Sequence, residues 1–206
     1  TLTACLIGLA AGQLVAGPLS DTVGRRRPLL IGLAIYTAVS LTCAIAPTVW
    51  LLISLRLLQA LGAAAGVVIS RAIVRDLYEG PQLARTFSML MLVTGTAPIL
   101  APIVGAQLLH FTDWRGIFVA FAIFGAILLL TAAIALPETL PATRRRPLSF
   151  RETLKTCGRL LTDRPFITCT ISCGLTFAAM FAYIAGASFV LQSPEYGLTP
   201  QQFSLV

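Results

Sequence analysis

The chain has 206 residues, of which 57% are hydrophobic and 11% charged, with a mean hydropathy of +0.87. That balance excludes an ordinary water-soluble domain, in which about a quarter of residues are charged. The formal net charge of +7 raises the question of a nucleic-acid partner, and the placement of the charges along the chain answers it in favour of a membrane.

Uncharged runs cover residues 1–20, 28–55, 86–109, 116–137 and 165–194, each at least as long as the roughly 20 residues that cross a hydrocarbon core. A further run, 57–70, joins the second across Arg56 alone, and Ala46, Pro47 and Thr48 offer a helix stop and restart. Six spans are therefore expected, at about 1–20, 28–46, 49–74, 84–109, 115–136 and 165–192, with ends uncertain by roughly 2 to 4 residues. The runs lack the short alternating pattern of a transmembrane barrel, and lipid leaves unpaired backbone groups unsatisfied, so the spans are helices. The expected class is an all-α membrane protein. Residue 1 is not Met, and Thr199-Pro200 reads as the opening of another helix, so the chain reads as a fragment; no signal-peptide pattern is visible in it.

Thirteen of the fifteen Lys and Arg residues fall in alternate connections: Arg25, Arg26 and Arg27; Arg71, Arg75 and Arg85; and Arg144, Arg145, Arg146, Arg151, Lys155, Arg159 and Arg164. This positive-inside pattern places loops 21–28, 71–85 and 137–164 in the cytoplasm. Within the last, Ser149 to Glu152 reads as a capping box. It opens a short basic amphipathic helix with Phe150, Leu154, Cys157 and Leu161 on one face and Arg151, Lys155 and Arg159 on another, which either rests on membrane lipid or is a solvated linker helix whose charges set topology. The five cysteines lack paired spacing and read as packing residues. No Walker loop, HExxH or metal-ligand cluster is present, so no metal and no organic cofactor are expected.

The connection after the first span runs Gly17-Pro-Leu19-Ser-Asp21-Thr-Val-Gly24-Arg25-Arg26-Arg27-Pro28. Glycines there allow a tight turn beside a neighbouring helix, Asp21 can cap a helix end, and the arginines can pair with nearby acids. This segment resembles motif A of the major facilitator superfamily at Gly17, Leu19, Asp21, Gly24, Arg25 and Arg26. In that family it latches the inner side. In the third span Arg56, Gln59, Ala60, Gly62 and Ala64 resemble motif B, with Ala60 in place of a glycine. The following Ser70 to Asp76 is similar to the same helix in the bicyclomycin-resistance (Bcr/CflA) drug exporters, and the resemblance makes Asp76 the partner of Arg25. Gly95, Pro98, Pro102 and Gly105 in the fourth span resemble motif C, the antiporter motif, with Ala101 and Ala106 replacing glycines of the general pattern. Trp114-Arg115 and Pro137-Glu138-Thr139 also look like this subfamily.

The resemblance implies the major facilitator fold, two six-helix bundles of which only part is present. Residues 1–136 would be five helices of the N-terminal bundle, 137–164 the cytoplasmic linker, and 165–206 the start of the C-terminal bundle. It implies a monomeric, non-enzymatic antiporter of the bacterial inner membrane that exports amphipathic, drug-like molecules, antibiotics among them, in exchange for protons, with no nucleic-acid partner. An importer or symporter of a small metabolite on the same fold, and a non-transporting membrane scaffold, are the alternatives. Residues near Pro98, Pro102 and Gly105 are expected to pack against the first span or the second bundle, and Phe177, Phe181, Tyr183 and Phe189 either line a drug cavity or, as is commoner for aromatic residues in a membrane helix, serve packing or face lipid. Arg56 is the one formal charge well inside a span, and none of the eight acids is placed to reach it. It is held either by Gln59 and backbone carbonyls or by an acid from a preceding helix, and in the second case it would take part in proton coupling.

Overall fold

A computed structural model of the chain describes residues 2–145 and 150–191. The six expected spans are α1 (Leu2–Val23), α2 (Arg26–Ala44), α3 (Val49–Leu77), α4 (Gly80–Phe111), α5 (Trp114–Ala135) and, after a short amphipathic α6 (Phe150–Leu160), α7 (Arg164–Leu191). All six are long and apolar enough to cross a membrane, and no strand occurs among the described residues. The helices and their order are those expected of a partial major facilitator fold. The Ser149 end of the expected capping box, the Thr199-Pro200 helix start and the side chain of Phe189 lie outside the described residues.

The break around Pro47 falls as expected: α2 ends at Ala44, and Thr48, in extended backbone, accepts a hydrogen bond from the Leu51 N–H at 3.4 Å to open α3. The basic connections are shorter than the sequence indicates. Helix α1 runs through Asp21 to Val23 and α2 starts at Arg26, while Arg71 and Arg75 belong to α3 and Arg85 to α4, leaving only Tyr78 and Glu79 between them. Helices continue past the hydrocarbon boundary because arginine is a good helix former and its charge can reach water along its own stem.

The described residues form two units. The first, within residues 2–98 and 108–145, carries α1, α2, α3, α5 and most of α4; the second, within 99–107 and 150–191, carries the rest of α4 with α6 and α7. In the first unit α3 is the hub, packed on α1 and α2, and α2 packs in turn on α5. Close approach comes from small residues. A Cβ at Gly12 would lie 2.6 Å from the Ala64 Cβ, and one at Gly62 would lie 2.7 Å from the Gly32 carbonyl oxygen, so these helices meet backbone to backbone. Large apolar side chains such as Ile31, Trp50 and Ile134 point outward, the arrangement expected where the solvent is lipid.

Helices α2 and α5 are also tied at both ends. Arg26, in the first turn of α2, donates from Nη2 to the Ala133 carbonyl at 2.7 Å, and Arg115, in the first turn of α5, donates from Nη1 to the Ala44 carbonyl at 3.2 Å. Each arginine thus satisfies a carbonyl that the partner helix leaves open at its C-terminus.

Candidate functional site

Most of the sequence-derived candidates gather into two constellations in the first unit, one at its arginine-rich end and one within the spans. The first is built on a turn that only glycine accommodates. Gly24 has φ +105°, and a Cβ there would collide with the Glu138 carboxylate. This turn delivers Arg25, buried, between α1 and α3. Its Nη1 donates to Asp21 Oδ1 and to Ser20 Oγ (2.7 Å), and its Nε donates to Asp76 Oδ2 at 2.9 Å. Burial works against the Arg25 charge, but the hydrogen bonds and charges of Asp76 and Asp21 more than reverse that, so the guanidinium titrates above the ordinary arginine value and its charge is fixed. The paired Asp21, Arg25 and Asp76 line a polar cavity of about 520 Å³ together with Arg75, Leu140 and Arg144.

Two sequence expectations change here. Asp21 caps no helix, because it lies inside α1 and is held by Arg25. The start of α2 is served instead by Glu138, which accepts from the backbone N–H groups of Arg25 (2.7 Å) and Arg26 (3.3 Å), and also from that of Leu140 (3.1 Å). Burial raises the Glu138 pKa, yet the N–H groups of Arg25, Leu140 and Arg26, with the nearby Arg145 charge, hold it below the usual carboxylate range. Arg26 pairs with a carbonyl rather than an acid. Of the remaining motif positions, Gly17 sits in ordinary contact range of Val68 and Leu19 is exposed, so neither joins the charge cluster.

The second constellation centres on Arg56, roughly 10 Å along α3 from Val49. Its Nη1 donates to Gln59 Oε1 at 3.0 Å, Gln59 Nε2 donates to Ser40 Oγ at 2.7 Å, and the Ser40 hydroxyl donates in turn to the Tyr36 carbonyl at 2.6 Å. Gln59 and Ser40 are buried. The Arg56 guanidinium carbon stands 5.2 Å from the centre of the Phe118 ring. Of the two partners expected within the chain, Gln59 is present; the second is an aromatic face in place of a backbone carbonyl. Both ion pairs recorded among the described residues belong to Arg25. Ala60 keeps the close approach its glycine-like position requires, since a Cβ at Gly8 would meet the Ala60 methyl at 3.0 Å.

The antiporter-like segment is not gathered in the same way. Among the described residues a Cβ at Gly95 or Gly105 would meet nothing within 4 Å, Pro102 is exposed and Pro98 half-buried. Phe177 and Tyr183 of α7 are exposed as well. Sequence reasoning missed Ser20, Ser40, Phe118 and Glu138. A carboxylate just beyond a span, in Pro137-Glu138-Thr139, was the available signal for the last.

Six apolar helices, a bundle held by small residues and arginines concentrated at one side define a multi-pass membrane protein. The sequence profile of the Major Facilitator Superfamily matches residues 1–206, and the chain belongs to that superfamily. It is 45% identical over 208 residues to the uncharacterized MFS-type transporter YdgK of Bacillus subtilis (strain 168), covering 100% of this chain and 52% of the relative. It is 30% identical over 203 residues to a bicyclomycin resistance protein homolog of Haemophilus influenzae (98% of this chain, 51% of the relative). Identity to the multidrug transporter MdfA of Yersinia pestis bv. Antiqua (strain Angola) is 29% over 195 residues (95% and 47%). The chain spans about half the length of these curated relatives.

Proposed function

We propose that these residues form the N-terminal bundle, linker and start of the C-terminal bundle of a proton-coupled exporter of amphipathic drugs in a bacterial inner membrane. The observation that carries this reading is Arg56, an arginine inside a span whose partners Gln59 and Phe118 are both neutral. A guanidinium has five N–H donors, and one hydrogen bond from it is recorded among the described residues, which leaves capacity for an anion. An acid contributed from outside these residues would pair with it. The positive charge would lower that acid's pKa, and its protonation would weaken the attraction and shift the balance between inward- and outward-facing states. The names of the relatives from H. influenzae and Y. pestis support a drug as cargo.

The Asp21–Arg25–Asp76 cluster fits a cytoplasmic latch that closes α1 on α3 in one of the two states. Gly95, Pro98, Pro102 and Gly105, with open space around the glycines, fit a surface that a moving partner helix approaches, and bulk at Gly105 would then obstruct closure. The test is drug efflux by the complete protein in proteoliposomes under an imposed pH gradient. Arg56→Lys should keep partial activity with an altered pH profile, and Arg56→Ala should abolish proton-coupled efflux with the protein still folded. Efflux by Arg56→Ala with an unchanged pH profile would remove the coupling role.

A further inference from the structure

We propose that Phe118 is a positioning residue for Arg56, and that proton coupling depends on the electron-rich face of its ring rather than on its bulk. The inference rests on the reading that Arg56 takes part in coupling. The guanidinium lies 5.2 Å from the ring centre, within the range at which a cation is attracted to an aromatic face, and the attraction strengthens when water is excluded. Phe118 is 8% exposed.

The ring is fixed from several directions. Trp114 and Phe121 meet it edge to face, at centroid distances of 6.0 and 6.3 Å with interplanar angles of 89° and 86°. Cys43 and Ala44 of α2 bury it, and Leu52 and Leu55 of α3 pack on the same cluster. One turn earlier in α5, Arg115 donates to the Ala44 carbonyl and anchors that turn to α2. Phe118 therefore presents a preset face to α3.

Gln59 supplies the opposing constraint. Its Nε2 is committed to Ser40, which turns Oε1 toward Arg56. The cation is thus held between a fixed dipole on its own helix and a fixed quadrupole on α5. Neither partner titrates. Among the titratable and charged groups of the neighbouring helices, Cys5 of α1 donates its thiol to the Arg56 carbonyl at 3.8 Å, Tyr36 and Cys43 of α2 lie within reach of the Arg56 charge, and Arg115 of α5 is turned to the Ala44 carbonyl; Asp21 of α1 and Arg26 and Arg27 of α2 sit at the opposite ends of those helices. The direction of the guanidinium is accordingly set by the protein whatever the pH, and the response to protons is left to whichever anion approaches it.

The experiment replaces Phe118 with mono-, di- and trifluorophenylalanine in the complete protein. These analogues drain the ring face of negative charge with little change of shape. Proton-driven efflux should fall stepwise with fluorine number and the midpoint of its pH profile should move. Phe118→Tyr should retain activity and Phe118→Leu should lose about tenfold or more. Fluorinated variants that all transport at the parent level would overturn the proposal, since bulk alone would then suffice. A double-mutant cycle of Phe118→Leu with Arg56→Gln, read in thermal unfolding, should be non-additive; additivity would equally overturn it. A non-additive cycle accompanied by Arg56→Ala transport with an unchanged pH profile would locate the failure in the coupling reading and not in the contact.

Discussion

Arg25 donates to three side chains at once, and their exposure decides which partner matters most. The Arg25 and Asp76 side chains are 8% and 19% exposed, whereas that of Asp21 is 49% exposed. Removing the better-buried partner of a buried guanidinium costs more than removing a half-exposed one, since an exposed pair contributes under about 1 kcal/mol. Asp76→Asn should therefore lower the unfolding midpoint of the solubilised protein several times more than Asp21→Asn; equal shifts would contradict the exposure argument. At Glu138 the prediction concerns pH. Because its folded pKa is depressed, its carboxylate stabilises the fold above the ordinary carboxylate pKa, and that contribution disappears as pH falls through the folded value. Glu138→Gln should destabilise the protein at neutral pH, with the gap to the parent closing in acid below about 4, as followed by thermal unfolding across a pH series. The Asp21, Arg25 and Asp76 trio was legible in the sequence through the resemblance of both segments to the family's motifs. Glu138 was not, because two of its three partners are backbone N–H groups more than a hundred residues away, and no side-chain pattern announces those.

At the scale of helices, spans and the break at Pro47 follow from charge-free runs alone, since a membrane penalises charge so heavily that its absence marks the crossing. Which face of each helix packs is far less visible. In lipid both faces are apolar, so the contrast that reveals a core face in a soluble helix is missing, and small residues are the remaining signal. That signal is incomplete. Gly8 and Gly12 share the spacing of Gly62 and Gly66, yet Gly8, Gly12 and Gly62 meet neighbouring helices whereas Gly66 lines an apolar cavity with nothing within 4 Å of its missing Cβ. Gly12→Leu should force α1 off α3 at a cost of about 1–3 kcal/mol or more, with loss of monodisperse protein on gel filtration. Gly66→Ala should leave the elution profile and melting temperature unchanged. If the two variants behave alike, close helix approach is not what holds α1 and α3 together.

For the whole molecule, the latch reading predicts a shift in accessibility rather than in fold. The cavity bounded by Asp21, Asp76 and Arg144 should open more often once the Arg25 pairs are weakened. A cysteine placed at Arg144 should then react faster with a membrane-impermeant thiol reagent from the cytoplasmic side in the Asp76→Asn background than in the parent. Unchanged labelling would argue that the cluster serves stability alone. The two arginine ties between α2 and α5 bear on how such a molecule is made. Their partners are 71 and 107 positions apart in sequence, and synthesis proceeds at roughly 5–20 residues per second. Helix α2 enters the membrane early, beside α1 and soon α3, but its C-terminal carbonyl at Ala44 and the Arg26 side chain wait several seconds, on this estimate, for α5 to arrive. Until then the nascent bundle has an open side. Assembly therefore ends with the later-made helix fastening an early one, and a chain interrupted before residue 114 would carry α2 into the membrane with both of those polar groups unmatched, a state that membrane quality control could distinguish from the finished bundle.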